Sequence, residues 1–337
     1  MSTGPRDDAA NRPRDPATPR PRDGSQDDIA AILRNVRRIE IRTRKLVSSL
    51  TAGRFRSAFK GQGMEFDEVR EYAPGDDVRT IDWNVTARAG RPHVKTFREE
   101  RELTVWLLVD GSGSMRFGAI PGLSPRAKLA LAAEAAAVIG VTAFRNHDRL
   151  GLVRFTDRTD LHLAPRKGRG HCLRVVREVL AAPAASGATA LDHALDELAR
   201  VAPRRGVVFL LSDFLHADGE AAGRFTRALA RAARRHDVVG LRVTDPGEEA
   251  LPAGSTPLAL TDPESGRTAV LANGRAARAR YAQAWTVQRS LVEGCFRGTG
   301  CDLVDLRTEQ GAFTALARYF RGRTSVAGSR GRGVAGS

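Results

Sequence analysis

The residues of this chain best suited to chemistry follow one apolar run. Leu103 to Val109 (LTVWLLV) is rich in β-branched and aromatic residues and has the length of a strand buried on both faces of a parallel sheet. It ends in Asp110-Gly111-Ser112-Gly113-Ser114. A carboxylate and two hydroxyls thus stand at alternate positions, and the glycines between them allow the tight backbone that lets all three converge on one point. Hard oxygen ligands suit a hard cation such as Mg²⁺. The carboxyl end of a parallel strand is also where open α/β sheets bind ligands. Taken alone, these five residues fit an ordinary Ser/Gly turn equally well.

Two later stretches bear on that choice. Val207 to Leu211 (VVFLL) is a second buried-strand run and leads into Ser212-Asp213. Ser186-Gly187-Ala188-Thr189 precedes a helical pattern from Leu191 to Val201. Singly, Thr189 can be a helix cap with Asp192 completing an imperfect capping box, and Asp213 can be a strand-end Asx turn. Together, the order D-x-S-x-S, then Thr, then Asp resembles the metal-ion-dependent adhesion site of von Willebrand factor A domains. The resemblance implies a metal site of Asp110, Ser112, Ser114, Thr189 and Asp213. The three hydroxyls would bind the cation, and the aspartates would act directly or through water. Mg²⁺ is the implied ion, with Mn²⁺ or Ca²⁺ as substitutes, and one position would await an Asp or Glu from another protein.

The elements that must position these residues can be read in outline. A helix is predicted from Ser124-Pro125, as cap and first position, to Phe144. Arg149 to Phe155 reads as a strand, returning as a hairpin at Thr159 to Leu163. Helices follow over Gly170–Ala181, Leu191–Val201 and Glu220–Arg235, then a strand over Asp237–Val243. Leu258 to Leu271 contains the hairpin turn Asp262-Pro263-Glu264-Ser265-Gly266. A helix from Gly274 to about Gly294, a strand over Asp302–Leu306 and a last helix to Tyr319 complete the pattern. This alternation implies an α/β fold with a doubly wound, mostly parallel sheet of the von Willebrand factor A or Rossmann-like kind. Asp110 and Asp213 both fall at carboxyl ends of its strands.

Upstream, residues 1–26 are Pro, Arg, Asp, Ser and Gly, too polar to offset the entropy of ordering, and are expected to be a disordered tail. Residues 27–60 read as a basic amphipathic helix and linker. Residues 103–320 form the expected A-like domain, and 321–337 a flexible Gly/Arg tail. Residues 61–102 are dense in charge but hold Phe66, Tyr72, Trp83 and Phe97, which suggests a partly β segment with a small aromatic core, packed on the sheet domain. Arg70, Arg79 and Arg88 are expected to pair with the acids around them. Its pattern, GxGxEFxExRxYxPGDDxRxIDWxxxAR, resembles the signature of a bacterial family of unknown function, DUF58. It is carried here by Gly61, Gly63, Glu65, Phe66, Arg70, Tyr72, Pro74, Gly75, Asp76, Arg79, Asp82, Trp83, Ala87 and Arg88. With the metal loop, the likeness spans about Arg42 to Asp213. It implies a protein that works with MoxR-type AAA+ ATPases in assembling or activating clients. Many members carry a pair of transmembrane helices before the signature, and this sequence does not.

Composition narrows the remaining classes. The formal charge is +15, concentrated in residues 27–60, which hold nine Lys/Arg against three Asp/Glu. A nucleic-acid-binding role for that helix is one alternative, but no recognition motif or aromatic-basic interleaving supports it. Cys172, Cys295 and Cys301 form no CxxC motif, which fits a reducing compartment and argues against a structural zinc site. With no apolar run long enough to span a membrane and no signal peptide, the protein is expected in the cytoplasm. A Mg²⁺-dependent phosphatase or hydrolase using Asp110 is the second alternative. Against it, Ser112 stands where a second carboxylate would be needed, and no GxxxxGK[ST] is present. No motif marks His162, His171, His193 or His216 as a base for Ser112 or Ser114. A non-enzymatic binding module is therefore expected.

Overall fold

The computed structural model describes residue 34 and residues 65–98, 102–118, 127–183, 189–215 and 219–330. The expected tails at 1–26 and 331–337, the basic helix apart from Arg34, Ser124-Pro125 and Ser186 to Ala188 lie outside the described residues.

A small N-terminal unit comes first: β1 (Glu65–Glu71), α1 (Trp83–Ala89) and β2 (His93–Arg98), the two strands pairing antiparallel. The sheet domain follows with β3 (Thr104–Asp110), α2 (Lys128–Arg145), β4 (Arg149–Phe155), β5 (Thr159–Arg166), α3 (Arg169–Leu180), α4 (Leu191–Val201), β6 (Val207–Ser212), α5 (Gly219–Arg235) and β7 (Asp237–Thr244). The chain then makes a helical turn, α6 (Pro246–Glu249), and a separate hairpin, β8 (Leu258–Thr261) and β9 (Thr268–Leu271). It ends with α7 (Arg275–Thr299), β10 (Asp302–Arg307) and α8 (Ala312–Arg330).

The main sheet has the order β10-β7-β6-β3-β4-β5, parallel throughout except for the antiparallel edge strand β5. This is the expected doubly wound α/β architecture. Period-2 alternation divides β3 between the two layers. Val105, Leu107 and Val109 join the core under α2, α3 and α8, while Trp106 and Leu108 join the core under α4, α5 and α7. Each such buried side chain contributes roughly 1.5–3 kcal/mol. Both faces are covered, which is why β3 and β6 read as continuous apolar runs rather than alternating ones.

The chain leaves β3 for β4 on one side and later returns to β6 on the other. The crevice between the ends of β3 and β6 is therefore the topological switch, and Asp110 and Asp213 stand at its mouth.

Several boundaries differ from expectation. α2 begins at Lys128 with Ala127 in the cap position, later than Ser124-Pro125 suggested. α7 passes through Gly294 and ends at Gly300, whose left-handed φ of 70° makes it the true stop. α8 continues to Arg330 rather than ending near Tyr319, so helix covers much of the stretch read as a flexible tail.

The N-terminal unit also departs in detail. Arg70 pairs with Asp76, as expected, and Asp76 also accepts from the Ala73 amide to hold the Pro74-Gly75 turn. Asp82 caps α1 through the amides of Asn84 and Val85. Arg79, however, is engaged through its amide with Asp77, and Trp83 is 70% exposed rather than in an aromatic core. The contacts of these elements are chiefly with one another.

Candidate metal centre

The loop after β3 is held by the sheet itself. The Gly111 amide donates to the Phe155 carbonyl (2.8 Å), carrying the β3–β4 ladder one step past the strand end. Asp110 is fully buried. One carboxylate oxygen accepts from the Ser112 amide (2.9 Å), and the other accepts from the Ser212 hydroxyl on β6 (2.6 Å). The first contact turns the chain sharply, so that Ser112 and Ser114 face each other with hydroxyl oxygens 3.0 Å apart. Both are buried.

Asp213 enters from the end of β6. Its Oδ1 accepts from the Leu215 amide (3.2 Å), so the Asx-type contact that the sequence allowed is present. Its Oδ2 accepts from Lys128 Nζ at 2.7 Å. The next residue, Phe214, has φ 58°, a strained value for a bulky side chain. Packing of its ring against Phe225 and Phe296 holds it there. The local strain fixes the direction in which Asp213 leaves the strand.

Lys128 is wholly inaccessible and lies between Asp213 and Glu248, with which it also forms an ion pair. Glu248 sits on α6, whose start is capped by Asp245 through the Gly247 amide, and Asp245 is in turn held by the Thr308 hydroxyl. Two buried carboxylates, Asp213 and Glu248, therefore share one ammonium, and the buried Asp110 feels the charge of Asp213 beside them. Burial, and then the charge of Asp213, pushes Asp110 up to about 7. Burial likewise lifts Glu248 to about 7 against the pull of Lys128, and its Oε2 has no hydrogen-bond partner among the described residues. Burial also acts to raise Asp213, but the Lys128 ammonium prevails and holds it below the usual carboxylate range. Lys128 itself would be lowered by burial, yet Asp213 and Glu248 raise it, so it stays charged.

Thr189 reaches this region by another route. It does not cap α4, where Ala190 holds the cap position without a side-chain bond. Its hydroxyl donates instead to Glu264 Oε1 at 3.1 Å. Glu264 belongs to the turn between β8 and β9, and the neighbouring Pro263 carbonyl lies directly over Gly113. The structure thus brings Asp110, Ser112, Ser114 and Asp213 into one cluster and joins Thr189 to it through the hairpin turn.

Sequence reasoning missed Lys128, Ser212, Glu248 and Glu264. A lysine at the first position of an apolar helix, at the positive end of the dipole, was a usable signal for Lys128. Ser212 directly precedes the singled-out Asp213. Nothing local distinguished Glu248.

The donor set fits a hard cation held by hydroxyls. Cis ligands of an octahedral Mg²⁺ at about 2.0–2.1 Å stand about 2.9 Å apart, which the Ser112–Ser114 separation matches. No group of three or more His, Cys, Asp or Glu suited to metal occurs among the described residues, so hydroxyls would have to share the work. Of the histidines considered as bases, His162 stacks on Trp106, and His171 bonds the Leu150 carbonyl.

Residues 68–291 match the family described as "Protein of unknown function DUF58". The chain belongs to the DUF58 family. Among its relatives, the uncharacterized protein Mb1516 of Mycobacterium bovis is 33% identical over 304 residues, covering 89% of this chain and 92% of its own length. The uncharacterized protein Rv1480 of Mycobacterium tuberculosis is similar to the same extent. The solved structure of BatB from Bacteroides thetaiotaomicron aligns with a TM-score of 0.41 at 15% identity, covering 67% of this chain and 99% of that one. No helix among the described residues of this DUF58 protein is long and apolar enough to cross a membrane.

Proposed function

We propose that this DUF58 protein is a non-enzymatic, metal-dependent protein-binding module of the von Willebrand factor A kind. Ser112, Ser114 and Thr189 would hold Mg²⁺ with their hydroxyls, and Asp110 and Asp213 would act directly or through water. The observation that carries the reading is the pair of facing hydroxyls of Ser112 and Ser114, 3.0 Å apart between two buried aspartates at the switch point of the sheet. Neutral hydroxyls leave the bound ion with positive charge, which a carboxylate from a partner would meet. We take the partner to be a cytoplasmic MoxR-type AAA+ ATPase or its client, as family resemblance suggests. Calorimetry with Mg²⁺ and Mn²⁺ on wild type and Asp110→Ala tests the metal. Capture of a MoxR-type ATPase from the same organism, with and without chelator, tests the partner. Equal metal affinity in the two proteins, or capture indifferent to chelator, would overturn the reading.

A further inference from the structure

The β8–β9 hairpin rests its turn on the metal loop, and the fit is written into the sequence. A Cβ on Gly113 would lie 2.1 Å from the Pro263 carbonyl oxygen, so any other residue there would push the hairpin away. The turn is held in shape by its own contacts. The Asp262 amide donates to the Arg267 carbonyl and the Gly266 amide to the Asp262 carbonyl, both at 2.9 Å, while Asp262 Oδ1 accepts from the Glu264 amide (3.0 Å). That shape turns Glu264 inward, where it is only 7% exposed and accepts from Thr189.

The rest of the hairpin is peripheral. Among the described residues its strands pair only with each other, and Val270 is 75% exposed. A two-stranded hairpin is marginal by itself, so its place depends on what its tip rests against. Glu264 and Thr189 stand 3.1 Å apart, so their oxygens can face one point, and the turn that carries Glu264 rests on the loop of Ser112 and Ser114.

We propose that Glu264 is the chain's own carboxylate ligand for this metal, making the β8–β9 hairpin an internal plug that a partner's carboxylate must displace. The inference rests on the metal-site reading given under Proposed function. Tethered to the site, Glu264 competes at a high effective concentration, so an external Asp or Glu binds only in proportion to the fraction of open hairpin. A cavity of about 670 Å³ behind the turn is lined by Phe117, Leu215, Leu260, Tyr281 and Trp285 and leads to Ser114. It offers apolar surface to the residues flanking an incoming carboxylate.

The test uses the full chain and Mn²⁺ as the probe. Wild type, Glu264→Ala, Glu264→Gln and Asp110→Ala are titrated by calorimetry, and amide exchange over residues 258–271 is followed with and without the ion. Both Glu264 variants should bind Mn²⁺ more weakly, on the order of tenfold, and Asp110→Ala should lose binding. Mn²⁺ should slow hairpin exchange in wild type and leave it unchanged in Glu264→Ala. Glu264→Gln keeps the size of the side chain, so it carries the result should the alanine variant fold poorly. Wild-type affinity in both Glu264 variants, with binding lost in Asp110→Ala, would overturn the plug and leave the metal site standing. Wild-type affinity in Asp110→Ala would overturn both.

Discussion

Lys128 and Asp213 form a fully buried ion pair, 2.7 Å apart, that ties the first residue of α2 to the residue following β6. The pair sits beside the Ser112–Ser114 cluster and extends to Glu248 on α6. It gives the fold a fixed positive charge at the sheet's switch point before any cation is considered. Because Lys128 occupies one oxygen of Asp213 and the Leu215 amide the other, a water-mediated role for Asp213 fits the geometry better than direct ligation.

Removing Lys128 should therefore be severe. Lys128→Met leaves Asp213 and Glu248 buried without their counter-charge, and loss of one partner of a buried pair costs about 3–5 kcal/mol. Urea denaturation of wild type and Lys128→Met measures this. A loss below about 1 kcal/mol would show that the cluster relaxes or neutralises itself.

A second prediction concerns pH. His236 is buried between α5 and β7, and neither ring nitrogen has a hydrogen-bond partner among the described residues. Burial, with the charges of Arg235 and Arg205, lowers its pKa from 6.5 to about 4. The unfolded chain therefore takes up the proton first, and stability is lost as pH falls from about 6.5 towards 4, by up to about 1.4 kcal/mol per pH unit. His236→Phe should remove this slope. Its stability relative to wild type should improve from pH 7 to pH 5, and parallel denaturation curves at the two pH values would contradict the assignment.

The hairpin contact makes a third prediction. Gly113→Ala places a methyl group against the Pro263 carbonyl, whereas a Cβ at Gly111 meets only ordinary contacts at 3.5 Å or more. Overpacking of this kind costs typically 1–3 kcal/mol. Gly113→Ala should destabilise the protein by about that amount and speed amide exchange across residues 258–271, with Gly111→Ala much closer to wild type. Equal effects at both positions would show that the turn does not rest on Gly113.

Those two glycines illustrate what the sequence could reveal. The two apolar runs place β3 and β6, because buried strands and their ends are local signals, while the resemblance to the adhesion site is what joined Asp213 to Asp110, Ser112 and Ser114. The link between Thr189 and Glu264 joins residues far apart in the chain, so no local pattern carries it. Helix ends failed where punctuation misled: Gly294 looked like a stop, but only Gly300 adopts the left-handed conformation that ends α7. Trp83 looked like core because aromatics usually are, yet α1 is too small to cover it.

The last prediction takes the metal through stability rather than affinity. An ion that binds only the folded chain stabilises it by RT ln(1 + [L]/Kd), about 2.7 kcal/mol at a hundredfold excess over Kd. Mg²⁺ should therefore raise the melting temperature of wild type in a concentration-dependent way, and chelator should reverse the gain. Asp110→Ala and Ser112→Ala should melt at temperatures independent of Mg²⁺. Asp213→Ala should keep a reduced response, since both of its oxygens already have protein partners and its contact with an ion would pass through water. The Ser112 substitution is the sharper test, because it removes a hydroxyl without disturbing the buried charges around Lys128. A full Mg²⁺ response in Ser112→Ala would mean that the ion stabilises the protein from somewhere other than the facing serines.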